Sequence, residues 1–218
     1  MVTLEDILFS TNKTWQFTIE EQYVLAITLV ASFLQLYKTP WVGDHWTGRD
    51  IHFFDTTTNT IGKRVDINHP FVTKTYKGTV STTPSTTAFS SSATTIYSTQ
   101  GGGGAAQPAL HDDSVNLLTL ARILLEIRTG RRIEELRRSE DMGPQAVPNE
   151  ATDLQTLKRW IQQENGNLSF AFRDAVLYCM KGFVDPFADF KDLAFRQNVI
   201  EGVVVPLMEE LRDLQGGF

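Results

Sequence analysis

The stretch WTGRDIHFF, residues 46–54, gathers side chains that could do chemistry. His45, just before it, can accept a proton. Asp50 can hold a cation, and Asp66 offers a second carboxylate further on. The other reactive residue types are thinly placed. His45, His52, His69 and His111, with Asp44, Asp50, Asp112 and Asp113, match no zinc or iron ligand spacing, so no metal site is expected. Hydrolysis by a Ser-His-Asp set lacks its G-x-S-x-G elbow. Gly101–Gly104 run consecutively, but no Lys-Ser/Thr follows them, so they are not a phosphate cradle. Cys179 is the only cysteine and falls on a helix face that should be buried, where a thiol is inert.

These residues need a scaffold, and the apolar pattern supplies a mainly α one. Ile19, Tyr23, Ile27, Val30, Leu34 and Tyr37 recur at helical spacing. Thr18 is placed to cap that helix, with Glu20 and Glu21 in its first turn and Pro40 just beyond its end. Thr3 with Asp6 marks a shorter helix over Leu4–Phe9. Ile51–Phe54 and Lys63–Ile67 read as the strands of a small β-hairpin around the polar turn 55–59.

Val115 to Ile127 is apolar almost all round, which places that helix in the middle of the domain, and Gly130 closes it. A charged turn follows, where Arg131, Arg132, Arg137 and Arg138 alternate with Glu134, Glu135, Glu140 and Asp141. It reads as a solvated helix of mixed charge. Amphipathic helices are expected over Asp153–Gln163, Ser169–Lys181 and Asp192–Leu214, the last kinked or restarted at Pro206.

A chain of 218 residues with net charge -6 can bury a full core. Its acidic balance argues against nucleic acid or an anionic membrane as partner. One cysteine allows no intrachain disulfide, which fits a reducing compartment. The start, MVTLEDILF, lacks the basic region of a signal peptide, so the sequons at Asn12 and Asn167 carry little weight. The uncharged run Tyr23–Tyr37 is short for a membrane span. Together these features lead to a cytoplasmic expectation.

Residues 73–110 are dominated by Thr, Ser, Gly and Ala and carry too little apolar surface to offset the entropy of ordering them. They are expected to form a long mobile loop inserted in a single domain over 1–218. Its hydroxyls, Thr83 before Pro84 above all, are chemically able to accept phosphate.

The order of elements resembles the C-terminal lobe of a protein kinase. Leu118 to Gly130 is similar to that lobe's central-helix pattern W-S-L-G-x-L-L-x-E-x-x-x-G. Thr3–Leu8 looks like the segment after a kinase hinge. Ala175–Met180 looks like the helix that ends in a cysteine before an Asp-Pro loop, and Asp185-Pro186 is present. Residues 34–54 are similar to a family of fungal kinase-like domains of unknown function.

The resemblance implies a kinase-C-lobe-like helical domain with 115–127 as its buried central helix, and it allows two registers for the catalytic loop. In one, Arg49-Asp50 stands for the Arg-Asp of H-R-D-x-x-x-x-N. That puts Asp55 at the metal-binding Asn and leaves apolar Ile51–Phe54 inside the loop. In the other, preferred because the apolar run becomes a strand, His45 falls at the catalytic Asp, Thr47 at the loop Lys and Asp50 at the metal-binding Asn. Asp66-Ile67-Asn68 then keeps the carboxylate of D-F-G without its Gly, and Asn116 replaces the central helix's organising Asp. Phosphoryl transfer is mostly positioning and electrostatics, so these losses remove base, metal site and anchor together.

The chain also begins where the N-terminal lobe would end. The expectation is therefore a non-catalytic, pseudokinase-type interaction or regulatory module with a protein partner, no cofactor and no enzyme activity. The alternatives are a divergent kinase or nucleotide-binding enzyme whose N-lobe lies elsewhere, and a purely structural helical domain.

Overall fold

A computed structural model of the protein describes residues 1–9, 17–37, 39, 46–55, 65–73, 112–143, 147–164 and 166–216. The loop expected over 73–110 lies outside these residues beyond Thr73. The described part is mostly helical with one small antiparallel sheet, as the sequence leads one to expect.

Strand β1 (Val2–Thr3) runs into α1 (Leu4–Phe9), which opens with a reciprocal cap. Asp6 N–H donates to Thr3 Oγ1 at 3.1 Å, and Thr3 N–H donates back to Asp6 Oδ2 at 3.0 Å. Thr18 and Glu21 repeat the device at the start of α2 (Ile19–Leu36), at 3.1 and 2.8 Å. Two capping boxes thus fix the entry of the first two helices. Among the described residues α2 is the one helix long and apolar enough to cross a bilayer by length and composition. The shorter run read from sequence understated it. Tyr23, Leu25, Ala26, Leu29, Val30, Phe33 and Leu34 of this helix are buried in the protein core.

The hairpin differs from expectation in its partners. Strand β2 (Ile51–Phe53) pairs antiparallel on one side with β1, Val2 opposite Phe53. On the other side it pairs with β3 (Phe71–Val72), Ile51 opposite Val72. Of the expected strand over 63–67, Val65 bridges Asp55 and Asp66 N–H donates to Phe54 O at 3.2 Å before residues 67–68 turn away, and positions 63 and 64 lie outside the described residues. The polar Asp66-Ile-Asn-His69 turn defers pairing to the next β-favouring residues, Phe71 and Val72.

Helix α3 (Asp112–Thr129) is the centre of the core. Leu117, Leu118, Leu120, Ala121, Ile123, Leu124, Leu125 and Ile127 are buried. Gly130, at φ +64°, ends it and donates its N–H to Glu126 O at 2.8 Å. The helix packs most extensively on α6 (Phe170–Val184), and also on α2 and α5 (Glu150–Gln163). Between Gly130 and α5 lies α4 (Ile133–Leu136), a single turn. Leu154, Leu157, Trp160 and Ile161 are buried on α5 as their spacing requires. Asn149 and Ser169 cap α5 and α6.

The last helix is one long rod with a wide turn in it. Helix α7 (Leu193–Val199), capped by Asp192, continues through a π turn (Ile200–Val204) into α8 (Val205–Leu214). Pro206 has no N–H to give to the preceding turn and its ring crowds it, so the backbone widens just upstream. Val205 N–H accordingly reaches back to Ile200 O. The expected kink is resolved as this π turn. Gly202 lies inside it because a Cβ there would sit 2.5 Å from Cδ2 and 3.0 Å from Cζ of the Tyr178 ring.

Gly202→Ala forces that ring or the π turn to move. We expect it to lower stability by about 1–3 kcal/mol, read as a drop in the urea midpoint with an unchanged slope. An unaltered midpoint would show that the contact yields freely.

Candidate functional site

The turn at residues 46–50 is closed by Asp50. Its Oδ2 accepts from Thr47 N–H at 2.7 Å and from Thr47 Oγ1–H at 3.0 Å, while Asp50 N–H returns to Thr47 O at 3.1 Å. Arg49 N–H adds a bond to Thr47 Oγ1 at 3.2 Å. The Arg49 side chain reaches Glu5 on α1 at 2.8 Å, and Glu5 N–H donates to Gly48 O at 3.3 Å. Thr47 and Asp50, both singled out from sequence, are therefore brought together, but as the two halves of a turn.

Asp66 forms its own turn. It accepts from Asn68 N–H at 3.1 Å and pairs with His69 Nδ1 at 2.8 Å. The His69 bond is the main reason its carboxyl lies below the ordinary range. His45 and Thr83 lie outside the described residues. So does the histidine ring of position 111, whereas His52 meets Thr73 Oγ1 through Nε2 at 3.0 Å.

A buried polar seam, which sequence reading missed, crosses the all-apolar helix. Glu126 on α3 is 5% exposed. Its Oε1 accepts from Ile133 N–H at 3.2 Å, so it supplies the first turn of α4 with an acceptor. Arg122, one turn earlier, lies 3.8 Å from Glu126 and 3.8 Å from Glu134. Burial pushes the Glu126 carboxyl up to about 7 against the opposing pull of Arg122 and Ile133 N–H, with Glu134 and Glu5 adding repulsion. The usable signal was an Arg and a Glu four residues apart inside an otherwise apolar helix.

The seam also corrects the solvated reading of residues 131–141. Arg137 gives Nε and Nη2 to Asp153 Oδ1 at 3.0 and 2.6 Å. Arg132 lies 3.9 Å from Glu5 and rests on the Phe9 ring at 4.6 Å. Asp141 is buried and holds Arg159, whose bond keeps the Asp141 carboxyl low. Arg159 Nη2 also donates to Leu136 O at 2.6 Å. Only the outer members, Arg131, Arg138, Glu134, Glu135 and Glu140, are exposed.

Between the 46–50 turn, α3 and the start of α5 opens a cleft of about 190 Å³. Trp46, Thr47, Leu118, Arg122, Glu150 and Asp153 are among the residues that line it. Trp46 is held by stacking on Phe33 at 5.3 Å. Trp46 Nε1, Arg122 Nε and Asn116 Oδ1 are buried without hydrogen-bond partners among the described residues.

Elsewhere the polar chemistry is structural. Tyr37 donates to Asp113, which also accepts from Phe190 N–H at 3.0 Å and so ties the end of α2 to the loop after α6. Cys179 is buried, and burial pushes its thiol up to about 12. No group of three or more His, Cys, Asp or Glu gathers as metal ligands would among the described residues.

A family model described as a domain of unknown function, DUF7580, matches residues 2–213. No curated protein and no solved structure matches the chain.

Glu126 sets a pH dependence whose sign is fixed. Its folded carboxyl titrates near 7 and an unfolded one near 4.5, so between these values the folded state holds the extra proton. Stability therefore falls as pH rises through that window, by up to about 3 kcal/mol. Glu126→Gln keeps a carbonyl oxygen for Ile133 N–H and removes the titration. We expect the variant's stability to be flatter from pH 5 to 8 and to exceed the parent's at pH 8 in chemical denaturation. A parent as pH-sensitive as the variant would contradict this account.

Proposed function

The chain belongs to the DUF7580 family, and from that premise we propose that it is a non-catalytic module that acts by binding a protein partner. The observation that carries the reading is the engagement of Asp50 and Asp66. In the kinase-C-lobe resemblance these are the positions of the metal-binding Asn and of the D-F-G carboxylate. Here one oxygen of Asp50 closes the Thr47 turn, and Asp66 is bonded to Asn68 and His69. Those bonds orient each carboxylate on the backbone of its own turn. Thr47, at the position of the loop Lys, carries no charge and directs its hydroxyl to Asp50.

The module would then be pseudokinase-like: a helical scaffold with an apolar centre, whose loops and polar cleft are available for recognition. Fungal signalling proteins are the setting the resemblance suggests, and a cytoplasmic location agrees with the single cysteine.

The reading is tested by calorimetric titration of the full chain, and of any longer parent, with ATP and Mg²⁺, together with a phosphotransfer assay. We expect no saturable heat and no transfer above background. Turnover that disappears on Asp50→Ala or Asp66→Ala would overturn the proposal and favour a divergent kinase completed by an N-lobe outside this chain.

A further inference from the structure

Helix α6 shows solvent a face that a soluble helix does not ordinarily leave bare. Its exposed residues are Phe170, Asp174, Leu177, Lys181 and Val184, at steps of four, three, four and three, so they form one straight ridge. The outward stripe of such a helix is expected to be polar, yet three of these five side chains are apolar. Phe170 is 81% exposed and Val184 59%, and Phe187, just past the end of the helix, is 86% exposed. Single apolar residues on a surface need no explanation, but a row of them marks a place of contact. The ridge is also firmly held, because Phe172, Ala175, Val176, Cys179 and Phe183 bury the rest of α6 in the core, where it packs on α3.

The ridge is complementary to itself. Turned end for end about Leu177, Phe170 falls on Val184 and Leu177 on itself, while Asp174 falls within one residue of Lys181. A second copy laid antiparallel on it therefore sets apolar against apolar at the centre and at both ends, with opposite charges between them. Parallel pairing would put Asp174 on Asp174 and Lys181 on Lys181, so charge selects the antiparallel arrangement. Neither residue makes an ion pair or hydrogen bond among the described residues. Two turns apart on one helix, about 10 Å along its axis, they are out of each other's reach.

We infer that α6 is a homodimer interface. Two copies of this chain pair their ridges antiparallel, with Leu177 on the two-fold axis and an Asp174–Lys181 pair on either side of it. The dimer goes beyond the non-catalytic reading and does not depend on it. One ridge buries less than the roughly 800 Å² per partner of a standard interface, so a dissociation constant in the micromolar range is expected.

The test is sedimentation equilibrium of the full chain, loaded from about 1 to about 500 µM to bracket that range. We expect a reversible monomer–dimer equilibrium. Leu177→Asp sets two carboxylates against each other on the axis and should leave monomer alone. Asp174→Lys or Lys181→Asp turns both charge pairs repulsive and should weaken the dimer about tenfold. An equimolar mixture of these two variants restores both attractive pairs and should form a heterodimer of about the parent's strength. All three positions are exposed, and thermal melts show whether each variant keeps its fold.

A chain that stays monomeric throughout overturns the inference and leaves the ridge to a different protein. So does a dimer indifferent to Leu177→Asp, which must pair through another surface. A mixture no tighter than its two components overturns it as well, since the antiparallel charge pairs would then be absent. Phosphotransfer that depends on Asp50 overturns the non-catalytic reading alone.

Discussion

The near-complete burial of α3 is the constraint to which the rest of the fold answers. With α2, α5 and α6 against it, only a stripe at Val115, Thr119 and Arg122 along the cleft stays half-buried in mid-helix, so a charged group on its other faces needs a partner inside the protein. Glu126 is the hardest case, a carboxyl in the core of an 18-residue helix. Its burial is offset by Ile133 N–H, one of the free donors that every helix start exposes, and by the guanidinium of Arg122. The one-turn helix α4 therefore has its position because α3 needs a donor there. Through Arg122, Glu134, Arg137 and Asp153 the same requirement passes on to α5.

That seam also explains why the 46–50 turn sits where it does. Glu5, at the start of α1, bonds Arg49 on one side and approaches Arg132 on the other. Asp50 contributes to this assembly through its turn, and Trp46 anchors the turn by stacking on Phe33 of α2. Ion pairs at exposed positions such as Arg49, whose side chain is 73% exposed, add little stability in water. Their value here is orientation: they fix the turn against the helices, and the cleft is formed between them.

The helices were legible in the sequence because their signals are local. Thr18 with Glu21 and Thr3 with Asp6 announce their caps over four residues, and the apolar spacing of Leu154, Leu157, Trp160 and Ile161 names the buried face directly. What the sequence concealed is set by partners far along the chain. Val2–Thr3 becomes a strand only because Ile51–Phe53 arrives beside it, and two residues carry no periodicity of their own. Phe71–Val72 pairs with Ile51–Phe53 for the same reason, while Val65 of the expected second strand only bridges Asp55. The candidate site followed this division. Asp50 and Asp66 stood out by residue type, but their engagement in turns depends on backbone geometry. Arg122 and Glu126 were hidden because leucines and isoleucines outnumber them around α3.

A π turn is an α-helix that has absorbed one extra residue, and the one at 200–204 separates two stretches whose inward sides both face the core, through Val199 and Leu207. The rod from α7 to α8 is therefore a place where chain length and helical phase are decoupled. Loss of a single residue there could be absorbed by straightening the wide turn, with Val199 and Leu207 still directed inward. Among members of the family, a one-residue gap at this point would record a change of helix type rather than a missing loop. Position-by-position comparison across it would have to be made on the core-facing side chains, since sequence numbers alone would drift out of step.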